Sequence, residues 1–203
     1  MNIYKQRRNN LLENSKADII VIAANKPIQS SLDQSYDFIQ ESNFYYLTGL
    51  NNPGLILVIS KKKSFLILPK LSDYQKVFDG EVDQASLKVS GVDKISNFEE
   101  GDEELSSLLT KSKTVHLLFD ESEKLSIYGI AALPFRKELI QSIRRINRNI
   151  ELVDIQKNIA ELRMIKDKTE VEFIKEAVRI TKSSIEKAMR RISAGKINHT
   201  QDL

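Results

Sequence analysis

Tyr36-Asp37-Phe38-Ile39-Gln40-Glu41-Ser42-Asn43-Phe44-Tyr45-Tyr46-Leu47-Thr48-Gly49-Leu50-Asn51-Asn52-Pro53 is the stretch that decides how the rest of the chain is read. It packs Phe38, Phe44, Tyr45 and Tyr46 into a short span, which suits core material at a junction between a helix and a strand. Thr48 has a hydroxyl that can bond local backbone. Gly49 permits the positive φ that the turn into the strand requires. Asn52-Pro53-Gly54 then reads as a turn. Leu55-Ile56-Leu57-Val58-Ile59-Ser60 follows as a strand, and Lys61-Lys62-Lys63-Ser64 separates it from Phe65-Leu66-Ile67-Leu68-Pro69. Two apolar runs divided by four polar residues predict a β-hairpin, with the lysines as its solvated turn.

Upstream, residues 2–14 mix charge with Leu11 and Leu12 and predict a first helix. Ala17-Asp18-Ile19-Ile20-Val21-Ile22-Ala23-Ala24 is a short apolar run rich in β-branched residues, the pattern of a strand buried on both faces. Asn25-Lys26-Pro27 ends it. Downstream, Thr114-Val115-His116-Leu117-Leu118-Phe119-Asp120 and Ile150-Glu151-Leu152-Val153-Asp154 read as further strands, with helical stretches near 71–78, 99–110 and 134–147. Strands and helices alternate, so residues 1–150 are expected to form one α/β domain around a central sheet.

Residues 151–203 read differently. Asp167-Lys168-Thr169-Glu170 is a capping box. Val171, Ile174, Val178, Ile185, Ala188 and Ile192 then recur on one face of a long helix. Gly195 is a helix stop, and Asn198-His199-Thr200-Gln201-Asp202-Leu203 resembles the cap and first turn of another helix, so the chain is expected to be cut from something longer. The stretch 157–203 lacks a sheet to pack on, and is expected to dock on another copy or to be poorly ordered.

Composition narrows the function classes. The formal net charge is +3, too small to argue for nucleic acid. The basic excess from Arg136 onward interleaves with acids at helical spacing, which describes a solvated helix surface. There is no cysteine, which excludes disulfides, thiolate metal sites and Cys nucleophiles. The start, Met1-Asn2-Ile3-Tyr4-Lys5-Gln6-Arg7-Arg8, has no apolar run after its basic residues and so is not a secretory signal. No stretch approaches the roughly 18 apolar residues that span a bilayer. A cytoplasmic protein without nucleic-acid or membrane partners is expected.

The residues themselves do not place an active site. His116 sits within a strand pattern and His199 near the end of the chain, and no His pair has the i, i+4 spacing of a helix-borne zinc site. No nucleophile elbow, Walker loop or dinucleotide fingerprint is present. Glu99-Glu100-Gly101-Asp102-Glu103-Glu104 is an acidic run that suits a helix start better than a hard cation.

Two segments carry a resemblance. Gln40, Ser42, Phe44, Tyr46, Leu47, Thr48, Gly49 and Pro53 match, without gaps, the signature of the amino-terminal domain of Xaa-Pro aminopeptidases (aminopeptidase P). Phe78-Asp79-Gly80 stands where that family commonly has Trp-x-Gly. Glu161-Leu162-Arg163-Met164-Ile165-Lys166-Asp167-Lys168-Thr169-Glu170-Val171 resembles the start of the family's catalytic "pita-bread" domain. The departures are Ile39 in place of the family's Arg and Phe78 in place of Trp, which keeps bulk and drops the indole donor.

The resemblance implies a creatinase/aminopeptidase P amino-terminal domain over 1–150, with a mixed sheet flanked by helices. The linker and opening helices of an incomplete catalytic domain would follow over 151–203. It implies a parent metallopeptidase that releases the residue before proline using two divalent ions, commonly manganese. The ligands of those ions, two Asp, one His and two Glu, would lie beyond position 203, leaving no metal or catalytic residue in this chain and no hydrolysis by it alone. The amino-terminal domain would abut its own catalytic domain, support a dimer or tetramer, and shape access for a peptide substrate, with Tyr45 projecting toward the cleft. The related readings are a prolidase fragment and a non-catalytic peptide- or protein-binding module of the same fold.

Overall fold

A computed structural model describes residues 2–78, 80, 82–119 and 134–194. Gly195, His199 and the expected last helical cap lie outside the described residues, as do Asp79 and Asp120.

The chain opens with α1 (Ile3–Ser15), capped by Asn2, whose side chain accepts from the backbone of Tyr4 and Lys5. Strand β1 (Ile19–Ala23) follows, and all five of its residues are buried. A two-stranded ribbon comes next, β2 (Gln29–Ser31) with β3 (Gln34–Ser35), and then the short helix α2 (Ser42–Thr48). The predicted hairpin is β4 (Ile56–Ser60) with β5 (Ser64–Ile67), antiparallel, with Ile59 opposite Ser64. Helices α3 (Asp73–Phe78) and α4 (Gln84–Leu87) lead to β6 (Lys94–Ser96). Then come α5 (Phe98–Lys111), β7 (Thr114–Leu117), α6 (Pro134–Ile146), β8 (Glu151–Asp154) and α7 (Gln156–Met164). Last is α8 (Lys168–Ser193).

Among the described residues six strands make one sheet in the order β6-β5-β4-β1-β7-β8. β1 lies at its centre, antiparallel to β4 and parallel to β7, so the sheet is mixed. This position explains the unbroken apolar run: a strand with a neighbour on each side and helices on each face has no wet side. Ile20 and Ile22 face a core shared with Leu11 of α1, Phe44 and Leu47 of α2, and Ile159 of α7. Ile19, Val21 and Ala23 face a second core with Leu105 and Leu109 of α5 and Leu139 and Ile143 of α6. The result is a sheet with helices on both faces, as expected from the alternation of strand and helix patterns.

The lysine turn is less free than its solvated reading implied. Lys61 pairs with Asp18 at 2.7 Å and Lys63 with Glu104 at 2.5 Å. The acidic run is tied down in the same way. Glu99 pairs with Lys70, and Glu100 and Glu104 with Lys94. Asn97 caps α5 by accepting from the Glu100 amide, so the run supplies the negative charge that a helix start favours.

The chain divides into two compact units, residues 1–162 and 163–203. β8 and most of α7 fall within the first. In the second, α8 carries the predicted capping box: Asp167 accepts from the Glu170 amide, and the Glu170 carboxylate accepts from the Asp167 amide. None of the residues of α8 is buried. Of the stripe predicted from sequence, Val171, Ile174, Val178, Ile185 and Ile192 are exposed and Ala188 is half-buried. Among the described residues no helix is long and apolar enough to cross a membrane.

Candidate functional site

The signature stretch folds around α2, and its residues divide by where they point. Phe44 and Leu47 are fully buried in the first core. Gln40 is a four-way staple. Its carbonyl oxygen accepts from the Asn25 amide at 3.0 Å and the Glu41 amide at 2.9 Å, and its amino group donates to Leu50 O at 3.2 Å and Asn52 O at 2.9 Å. The end of β1, the start of α2 and the turn into β4 are thereby fixed to one side chain.

Glu41 caps α2, accepting from the Phe44 amide at 2.6 Å, and forms an ion pair with Arg136 of α6 at 3.2 Å. Thr48 donates to Phe44 O at 2.7 Å and accepts from the Leu50 amide at 3.2 Å, the local backbone bonding expected of it. Gly49 ends the helix at φ 71°, and a Cβ there would collide with the hydroxyl end of the Tyr4 ring. Ser42 is the exposed first residue of α2, and Pro53 is half-buried in the turn before β4.

Of the four aromatics expected in the core, Phe38 is half-buried and Tyr45 has 51% of its surface exposed. Tyr36 and Ile39 are exposed too. Tyr46 is half-buried: the Arg7 guanidinium lies 4.1 Å from its ring centre, and Arg7 donates to Tyr46 O at 3.0 Å.

Sequence reasoning did not single out Arg8. It is 1% exposed, and its guanidinium donates to Leu47 O at 2.8 Å, Ser90 O at 2.9 Å and Gly91 O at 2.7 Å. Burial pulls the group down to about 10, opposed by the charge of Asp93, so Arg8 stays a cation at neutral pH. Burial also works to raise the Asp93 carboxyl. Donors from Lys5 and from the backbone and hydroxyl of Ser64 outweigh it and hold Asp93 below the usual carboxylate range. No periodicity signals such an arginine, since Arg7-Arg8 in a charged helix reads as surface.

His116 lies on β7 beside Ile20, with Nδ1 buried and without a hydrogen-bond partner among the described residues. Burial lowers its pKa, against the pull of Asp18 and Glu151. The folded state therefore binds a proton less readily than the unfolded chain, and stability falls as pH drops below the ordinary histidine value. His116→Leu is expected to flatten the loss of thermal stability between pH 7.5 and 5.5, and an unchanged slope would contradict this placement. Among the described residues no group of three or more His, Cys, Asp or Glu side chains comes together to hold a metal ion.

Comparison with known proteins gives a consistent match. The family model for the aminopeptidase P N-terminal domain matches residues 4–117. Xaa-Pro aminopeptidase 3 of Dictyostelium discoideum is 24% identical over 198 residues, covering 94% of this chain and 36% of that protein. The Xaa-Pro aminopeptidase of Escherichia coli (strain K12) is 24% identical over 200 residues, covering 95% of this chain and 45% of that protein. Among solved structures, zinc-substituted E. coli aminopeptidase P in complex with product superimposes with a TM-score of 0.65 at 22% identity, covering 84% of this chain and 40% of that one. The chain thus spans less than half the length of these relatives.

Proposed function

The chain belongs to the family of the aminopeptidase P N-terminal domain, and on that premise we propose that it is the amino-terminal portion of a metal-dependent Xaa-Pro aminopeptidase. The observation that carries this reading is the reach of the similarity. The family model ends at residue 117, yet the E. coli enzyme aligns over 95% of the chain, so the likeness extends into the second unit. In this reading residues 151–203 lead into the catalytic domain, and the exposed apolar face of α8 is the surface that domain covers. Relatives that are aminopeptidases support release of a single residue before proline over cleavage of a dipeptide.

In this reading the described residues supply shape, not metal ligands. The described residues bring together no group that fits a dinuclear metal centre; in our reading the two divalent ions, manganese, are held by the catalytic domain. When bound there, they would make a water nucleophilic near neutral pH. The task left to this domain is geometric. A bond before proline has no N–H and exists in cis or trans, so it needs a shaped pocket. The first unit helps wall such a pocket and supports assembly into a dimer or tetramer. Tyr45 is held by α2 with its ring off the core, and we assign it the role of projecting toward the substrate. We place the protein in the cytoplasm, a reading that its cysteine-free composition supports.

One assay tests the proposal, using an Xaa-Pro-containing peptide and manganese. The purified 203-residue chain should release no amino acid. The parent enzyme should do so, and Tyr45→Ala in it should lower kcat/KM by about tenfold, the loss of one well-placed contact of roughly 1.4 kcal/mol. Robust hydrolysis by the chain alone would overturn the division of labour. An unchanged kcat/KM would remove Tyr45 from the pocket.

A further inference from the structure

Helix α7 stops at Met164 without a residue that stops helices. Ile165, Lys166 and Asp167 contain neither glycine nor proline, and Met164 and Ile165 are exposed, so no burial of apolar surface ends the helix either. The last carbonyls of any helix lack intrahelical donors and need partners from elsewhere. Here two side chains supply them. The Lys166 ammonium donates to Arg163 O and, at 3.5 Å, to Met164 O. The Tyr46 hydroxyl donates to Leu162 O at 3.4 Å, across 116 positions of sequence.

Tyr46 is held for this task. Its ring lies under Arg7, whose guanidinium also bonds the Tyr46 carbonyl, and its helix α2 is packed through Phe44 and Leu47. Facing it, α7 is seated through Ile159, which is fully buried, with Leu162 packed on the same core. Packing therefore fixes the body of α7, while its last turn depends on polar partners.

We propose that Tyr46 is a positioning residue that caps the carboxyl end of α7. The phenol is thereby assigned a purpose outside the core. A phenylalanine would fill the same space beside Arg7 without the hydroxyl that bonds Leu162 O. This inference concerns helix termination and does not rest on the proposed peptidase role.

Amide hydrogen exchange on the whole chain carrying Tyr46→Phe tests it. The amides of Leu162, Arg163 and Met164 should exchange about fivefold faster, the effect of one lost net hydrogen bond on local opening. Those of Ile20, Val21 and Ile22 in β1 should be unchanged. Unaltered exchange at 162–164 would overturn the proposal. Equal acceleration in β1 and α7 would overturn it too, because the hydroxyl would then support the whole lobe and not the helix end.

Discussion

Arg8→Met should destabilise the protein by about 3–5 kcal/mol, measured as a lower urea midpoint with an unchanged slope. The expectation follows from what the guanidinium leaves behind. It serves three carbonyls on two separate segments, Leu47 at the end of α2 and Ser90 with Gly91 in the turn before β6. Each buried acceptor left without a donor costs about 1–3 kcal/mol. Methionine would recover part of the lost packing and relieve the cost of holding a charge out of water, so the sum falls below three full penalties. A loss under about 1 kcal/mol would mean that water replaces the guanidinium. Arg7 provides the control: it is half-buried and stacked on Tyr46, and Arg7→Gln should cost clearly less.

The second large effect is expected at Gly49. Gly49→Ala combines a strained backbone at φ 71° with a Cβ that collides with the hydroxyl end of the Tyr4 ring. The left-handed conformation alone costs a non-glycine residue roughly 1 kcal/mol. Displacing a packed ring adds an overpacking cost, for a total of about 2–4 kcal/mol, read as a fall in Tm. A double-mutant cycle separates the two terms. In a Tyr4→Ala background the clash is gone and only the backbone term remains, so the second step should be markedly smaller. Equal losses in both backgrounds would mean that the ring moves aside freely.

Of these two sites, the positive φ of Gly49 could be read from the residues and the burial of Arg8 could not. β1 was legible because burial on both faces leaves a run with no polar alternation. The β4–β5 hairpin was legible because four polar residues interrupt two apolar runs. Asp167 and Glu170 announced α8 because a capping box is a local device, complete within four positions. The ribbon of β2 and β3 gave no such signal: its five strand residues are all polar and all exposed. β6 has three residues and α7 nine, too short for periodicity to stand out. Arg8 was hidden for a different reason. Its burial depends on carbonyls 39 and 82 positions away, and helix-level patterning holds no record of them. The signature residues were recognisable as a block, but their division into core (Phe44, Leu47), staple (Gln40), helix end (Thr48, Gly49) and outward ring (Tyr45) needed coordinates.

The placement of β1 has a consequence for how the chain matures on the ribosome. Ile20 pairs with Ile59 on one side and with His116 on the other. The first partner arrives early in synthesis and the second 57 residues after it. Until β7 has left the exit tunnel, the most apolar strand of the nascent chain keeps one edge open. An open, uncharged edge recruits foreign strands, so the interval between residues 60 and 117 is when this polypeptide most needs a chaperone.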